Sequence, residues 1–228
     1  MKRERSSRWR KLDNAAQAFP AATGKKDTRV FRFYCQLKED VQPEILQKAL
    51  EQTMKRYPVF SMVLRKGLFW FYLEQRDLSA KVEEEKRPPC SEIYVPDHKT
   101  LLFQVSYYKR RINFEVFHAL TDGTGAMLFL KELVSHYLIL RHPKETFSKV
   151  SEDMLTETDF EEDSFSQYYT GKKSEKEKSR PAYQIKGEYL EQEEMEITEI
   201  LLSAEAVHRR AKAQGVSVTA YLAAALVY

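Results

Sequence analysis

The stretch Ile112-Asn113-Phe114-Glu115-Val116-Phe117-His118-Ala119-Leu120-Thr121-Asp122-Gly123 decides the fold. Its first half alternates, with Ile112, Phe114 and Val116 on one side, and a period of two predicts a strand whose parity also carries His118. Beyond Gly123 the period lengthens. Ala126, Phe129, Leu130, Leu133, Tyr137 and Leu140 make one stripe, which predicts a helix from about Thr124 to Leu140. Lys131, Glu132 and His136 interrupt its other face, so this is an amphipathic packing helix and no membrane anchor. His118 to Gly123 is therefore a strand-to-helix loop, the place where a rigid frame holds functional side chains.

Upstream, Phe31, Phe33, Cys35 and Leu37 share one face of a strand over Val30 to Leu37. Pro43 opens a helix, its ring pre-setting the first helical φ, and Ile45, Leu46, Ala49, Leu50, Met54 and Tyr57 form its apolar stripe. Glu44 and Lys55-Arg56 suit the two ends of its dipole, and Pro58 stops it. Phe60 to Leu64 and Leu68 to Leu73 read as a hairpin turning at Arg65-Lys66-Gly67. Residues 77–99 read as loop, and Leu101 to Tyr108 as a strand that turns at Lys109-Arg110-Arg111 into Ile112. Residues 1–28 are polar and basic, broken by Trp9, Leu12, Phe19 and Pro20, and are expected to form a tail or a partly docked segment.

After Pro143 the character changes. Residues 144–185 carry an acidic stretch from Glu152 to Asp163 and the mixed run Lys172 to Lys178, which together predict a solvated connector, with Phe160, Phe165, Tyr168 and Tyr169 as docking points. Leu190 to Leu202 reads as a strand. Ser203 suits an N-cap, residues 204–214 a helix, and Gly215 its left-handed close. A small apolar helix then begins near Ser217 or Thr219 and meets Tyr228 without punctuation, which suggests that more protein normally follows.

Composition narrows the function. The 228 residues carry 37 Lys and Arg against 34 Asp and Glu, and a net charge of +3 does not suit a polyanionic partner, so no nucleic acid is expected. Cys35 and Cys90 lie far apart with no ligand spacing around them, so a metal site is not expected and two buried thiols in a reducing cytoplasm are. No apolar run reaches the roughly 18 residues a membrane span needs. The basic N-terminus is followed by no signal-peptide core, which points to a cytoplasmic location.

The string His118-x-x-x-Asp122-Gly123 stands out. With five His, nine Asp and seven Gly in the chain, chance would produce it about 0.006 times, so it is read as a motif. A histidine titrates near neutrality and can take and return a proton, as when an alcohol or amine attacks a thioester. Asp122 could contact the imidazole, hold the loop through an arginine, or simply cap the helix, and Gly123 would let the chain turn where a side chain cannot fit. The plain structural reading of His118 is a core histidine at a strand end, hydrogen-bonded to backbone. His98, His136, His142 and His208 lack partners at ligand spacing and are expected at the surface.

The string resembles the His-x-x-x-Asp-Gly signature of the chloramphenicol acetyltransferase-like superfamily, which includes alcohol acetyltransferases, carnitine acyltransferases and nonribosomal peptide condensation domains; bacterial alcohol acetyltransferase-like proteins look most alike. Lys55-Arg56-Tyr57-Pro58-Val59-Phe60 resembles the family's helix, R-[HY]-P, strand segment, and Leu202-Ser203-Ala204 through Leu226 resembles the opening of its second half. Where many members have two adjacent histidines, the first position here is Phe117.

The resemblance implies an α+β two-layer sandwich with a mixed, mainly antiparallel sheet, truncated relative to a family chain about twice as long. It implies residues 29–143 as the N-terminal acyltransferase subdomain, 144–185 as the crossover linker and 186–228 as the incomplete start of a second subdomain. It further implies His118 as general base. Asp122 would be a structural aspartate, with Arg29, Arg32 or an N-terminal arginine as partner, and Gly123 the residue that keeps a channel open. Acetyl-CoA or another acyl-CoA would be co-substrate, with no tightly bound cofactor, and the acceptor a small alcohol or amine. A missing half, or an oligomer, would complete the site. Two rivals remain: a condensation-type domain fed by a carrier protein, and a non-catalytic binding protein of the same fold.

Overall fold

The computed structural model describes residues 9–13, 15–24, 27–96, 98–145, 181, 184, 186–188, 190 and 196–227. The chain divides into two compact units, Met1–Lys172 and Lys173–Tyr228. In the first, the elements run β1 (Trp9–Lys11), α1 (Ala18–Ala22), β2 (Val30–Gln36), α2 (Pro43–Arg56), a 3-10 turn (Pro58–Ser61), β3 (Met62–Lys66), β4 (Phe71–Gln75), β5 (Val82–Glu84), β6 (Phe103–Tyr108), β7 (Arg111–Phe117) and α3 (Gly123–Arg141).

Four strands form a mixed sheet in the order β2-β7-β6-β5, antiparallel except for the β5–β6 pair. Register decides its two faces. Phe33 and Val105 both lie opposite Phe114, and Phe31 and Phe103 opposite Val116, so these apolar residues share a face. Helices α2 and α3 cover that face, as the amphipathic periods require, and the result is the expected two-layer sandwich. Phe60, which is 1% exposed, sits among the rings of Tyr57, Phe103, Phe114 and Phe129, and Phe114 stacks on Phe129 at 4.7 Å. Tyr137 of α3 joins the helices by accepting the backbone N–H of Gln42, which precedes α2, at 3.0 Å.

A second, antiparallel sheet has the order β1-β4-β3. Its first strand lies in the segment expected to be a tail or partly docked. The pairing Lys11 with Tyr72 recruits it, and Leu12 beside it is buried. The hairpin turns later than its hydropathy suggests: Gly67 to Trp70 make the turn, closed by Gly67 N–H to Trp70 O at 2.8 Å. A Cβ on Gly67 would lie 2.9 Å from that carbonyl oxygen, so glycine is required there. Residues 77–99, read as loop, contain β5, which is short because only three residues pair with β6.

In the second unit, α4 (Ala204–Ala213) is capped by Ser203 Oγ, which accepts the Ala206 N–H at 3.3 Å. Gly215 closes it at φ +68°, with Val216 N–H on Ala211 O at 3.1 Å. Helix α5 (Val218–Val227) follows, its start capped by Ser217. The strand expected over Leu190 to Leu202 is absent among the described residues there. No described strand of this unit offers pairing, and Ile200 and Leu201 stand exposed. The acidic and mixed-charge runs of the expected connector and the basic residues 1–8 lie outside the described residues.

Replacing Phe60 by alanine empties the centre of the aromatic cluster. It is expected to destabilise the first unit by about 3–5 kcal/mol, measured as a lower urea midpoint by circular dichroism.

Candidate functional site

Strand β7 ends at Phe117 and α3 begins at Gly123, so His118 stands in the turn between them. Its backbone N–H donates to Arg29 O at 2.9 Å, one step beyond the β2–β7 ladder, and Leu120 N–H returns to Phe117 O at 2.9 Å. The strand alternation carries the ring to the helix side. There it stacks on Phe19 of α1 with centroids 4.2 Å apart and planes 10° from parallel, and Phe31 of β2 leans on it at 4.9 Å. The side chain is half-buried, and its Nδ1 is buried with no hydrogen-bond partner. Two aromatic rings therefore fix the imidazole plane, and no polar group of the described residues holds Nδ1.

Asp122 caps α3. Its Oδ1 accepts the Gly125 N–H at 2.8 Å, and its backbone carbonyl accepts Ala126 N–H at 3.1 Å. Two of the arginines considered as its partners are engaged elsewhere. Arg29 pairs with Asp27 at 3.2 Å, and Arg32 is bound to Glu85 and Glu115. Among the described residues no hydrogen bond links Asp122 to His118. Gly123 is exposed, and a Cβ there would meet only Phe33 Cζ, at an ordinary 3.9 Å. The tight glycine is Gly125, where a Cβ would lie 2.1 Å from Thr121 Oγ1. The helical period passes over that position, because steric need from a neighbouring turn has no periodic signature.

The backbone behind His118 is unusual in two places. Arg29 (φ +53°) and Cys90 (φ +59°) both occupy the left-handed region, which disfavours side-chain-bearing residues. Hydrogen bonds hold both. Thr28 Oγ1 donates to Cys90 O at 2.7 Å, Cys90 N–H donates to Glu115 Oε1 at 2.5 Å, and His118 N–H occupies Arg29 O.

Glu115 and Arg32 belong to a network with Glu85 and Arg111 on the sheet face away from the helices. Two cations and two carboxylates balance there, as buried charges must. Burial pushes the Glu85 carboxyl up, but hydrogen bonds and charge from Arg32 and Arg111 outweigh it and hold the group below its ordinary range. Both cysteines are free and half-buried rather than fully buried, and burial raises both thiols; for Cys90 the Glu115 charge raises it further against an opposing pull from Arg32.

His136 is not a surface residue. It is half-buried between α2 and α3, with Nδ1 2.9 Å from Thr53 Oγ1. Thr53 donates its hydroxyl proton to Ala49 O at 2.8 Å, and His136 Nε2 lies 3.5 Å from Glu132 Oε1. Burial keeps its pKa low although Glu132 opposes this. Of the residues around His118, Phe19, Phe31 and the Arg29 carbonyl were outside the motif reading. Phe19 left one trace, an apolar island in a polar stretch.

No protein-family model matches the sequence, and no curated protein matches it either. Solved structures do. The starter condensation domain of rhizomide synthetase is 11% identical with a TM-score of 0.50, covering 62% of this chain and 40% of that one. The epimerization domain from the third module of tyrocidine synthetase B is 11% identical with a TM-score of 0.48, covering 62% and 37%. Polyketide synthase associated protein 5 from Mycobacterium tuberculosis is 19% identical with a TM-score of 0.44, covering 57% and 32%. Over the part matched, the chain has the condensation-domain, chloramphenicol acetyltransferase-like fold. It spans about two fifths of the length of the first of these structures.

Two outcomes test this geometry. Alanine at a helical glycine normally gains about 1 kcal/mol, but Gly125→Ala should destabilise because of Thr121 Oγ1, and the gain should reappear in a Thr121→Ala background, read as a double-mutant cycle of thermal midpoints. The Glu85 carboxyl, with its folded pKa depressed, contributes stability that is full above its unfolded value of about 4.3 and is lost as pH falls through the folded value. Glu85→Gln should therefore lower the midpoint at pH 7, and the gap to the parent should narrow only as the pH falls below about 4.3 toward the depressed folded value.

Proposed function

We propose that the chain is part of an acyltransferase in which His118 is the general base and acyl-CoA the thioester donor, with a small alcohol or amine as acceptor. The observation that carries this reading is the placement of His118: an imidazole in the strand-to-helix turn of a condensation-domain fold, its plane set by Phe19 and Phe31. With Nδ1 buried, Nε2 is the nitrogen left to meet substrate.

In the proposed step, Nε2 takes the proton of the acceptor O–H or N–H as the acceptor atom bonds to the thioester carbonyl carbon. The carbonyl electrons move to oxygen and form a tetrahedral oxyanion. Collapse expels the thiolate, which recovers the proton from Nε2. No serine or cysteine stands in the string Phe117 to Gly123, which favours direct transfer in a ternary complex over a covalent enzyme intermediate. Asp122 serves this scheme by capping α3 and so fixing the turn. Residues 29–143 would be the subdomain that carries the base, and 186–228 would belong to a second subdomain.

A second reading shares the chemistry and changes the donor. The donor would then be a thioester carried on a carrier protein, as for a condensation-type domain. Both donors belong in one assay of thiol release with alcohol and amine acceptors. His118→Ala should lower turnover by about 10²–10⁴-fold with an unchanged far-UV spectrum, and the active donor tells the readings apart. Turnover unaffected by His118→Ala removes the base from the scheme. Absence of turnover and of CoA binding in the parent favours the non-catalytic protein.

A further inference from the structure

The β3–β4 hairpin ends in Gly67-Leu68-Phe69-Trp70, and the three apolar residues point away from the core. Leu68 is 89% exposed, Phe69 82% and Trp70 53%. The tip is held in shape by the Gly67 N–H to Trp70 O bond, and Lys66 pairs with Phe71 directly below it. A folded protein rarely leaves consecutive large apolar side chains at a protruding turn without a partner for them.

The size of the patch selects the partner. Three residues on a narrow tip fall far short of the roughly 800 Å² per side that a stable protein interface uses. A lipid bilayer has no such requirement, because acyl chains close around an inserted wedge of any shape. Trp is also a residue that favours the membrane–water boundary. Charge agrees with a lipid partner. The three strands of this sheet carry Arg10, Lys11, Arg65 and Lys66 against one carboxylate, Glu74. Register sets Lys11 and Arg65 beside Tyr72 and Lys66 beside Phe71, so three of the four cations flank the base of the tip. Glu74 is engaged by Arg65 and Arg76. An apolar wedge collared by cations matches an anionic bilayer, hydrocarbon below and phosphate headgroups around.

We propose that the hairpin tip Leu68-Phe69-Trp70 docks this protein on anionic membranes, with Lys11, Arg65 and Lys66 at headgroup level. The proposal is independent of the acyl-transfer reading.

The chain has two tryptophans, so Trp9→Phe leaves Trp70 as the sole reporter. On vesicles of phosphatidylcholine with phosphatidylglycerol, Trp70 emission should shift to the blue and be quenched by brominated acyl chains. On phosphatidylcholine alone binding should be weaker. Leu68→Ser with Phe69→Ser should lower partitioning by roughly a hundredfold, and Lys66→Gln by roughly fivefold, an effect that added salt abolishes. Both sites are exposed, so circular dichroism should be unchanged. Failure to bind either vesicle overturns the proposal. So does binding that the serine pair leaves intact, and so does lipid-free self-association that the serine pair removes, which would make the tip a contact between copies.

Discussion

The register of β7 is the constraint on which the rest of the first unit depends. It is the strand flanked on both sides along its length, by β2 and β6, and its side chains alternate between two different environments. Ile112, Phe114 and Val116 enter the core beneath α2 and α3, while Arg111, Asn113 and Glu115 face the other way. A slip of one residue would place Glu115 among Phe60, Phe103 and Phe129 and turn Phe114 toward Arg32 and Glu85. Because both environments are specific, one apolar and one ionic, each penalises the slip. His118 inherits its position from this alternation, one step past the end of the strand.

The ionic face does more than neutralise itself. Glu115 accepts from the Cys90 N–H as well as from Arg32, and Cys90 in turn receives the Thr28 hydroxyl at its carbonyl. Thr28 precedes Arg29, whose carbonyl holds the His118 N–H. A continuous chain of hydrogen bonds and one peptide link thus runs from the Arg32–Glu115 pair to the backbone of the histidine. Two left-handed residues, each costing about 1–2 kcal/mol, lie on that path at Arg29 and Cys90. They persist because hydrogen bonds on both sides over-determine them. Such bends let a loop from a distant part of the sequence reach β2 and close the space behind the motif.

What was legible in the sequence follows from what has a period. The strand of Ile112, Phe114 and Val116, the stripe of Ala126 to Leu140 and the helix opened by Pro43 all repeat at a length the backbone imposes, and each stands within a few residues of its expected place. Ser203 and Gly215 were legible for a different reason, since capping chemistry is local. The misses are equally physical. Strand β1 has three residues and exists only because β4 offers an edge; β5 likewise borrows its conformation from β6. Leu68, Phe69 and Trp70 have the composition of a strand and occupy a turn, because Gly67 decides the geometry and their hydropathy does not. Of the span Leu190 to Leu202, the described residues form no strand, because a strand needs a neighbour that no pattern within the segment can supply. The motif itself was visible, whereas its surroundings were not: Arg29 and Phe19 reach His118 by tertiary contact alone.

Phe19 shows how far that dependence goes. Between Leu12, which is buried, and α1, Gln17 turns its side-chain amide onto the end of β4 that β1 leaves unpaired, donating to Phe71 O at 2.9 Å and accepting Phe71 N–H at 3.1 Å. The amide thereby completes the ladder one step past the Lys11–Tyr72 pair, as a further strand residue would. Two residues later Phe19 stacks on the imidazole. The orientation of the ring is therefore set from a segment about a hundred residues upstream, anchored to the root of the hairpin, and not by the string His118 to Gly123 alone. An identical string on a chain without Leu12, Gln17 and Phe19 would keep the cap at Asp122 and the bond to Arg29, yet would leave Phe31 as the one ring against the imidazole. The short motif specifies which residue stands in the turn; Phe19 and Phe31 specify the plane of its ring.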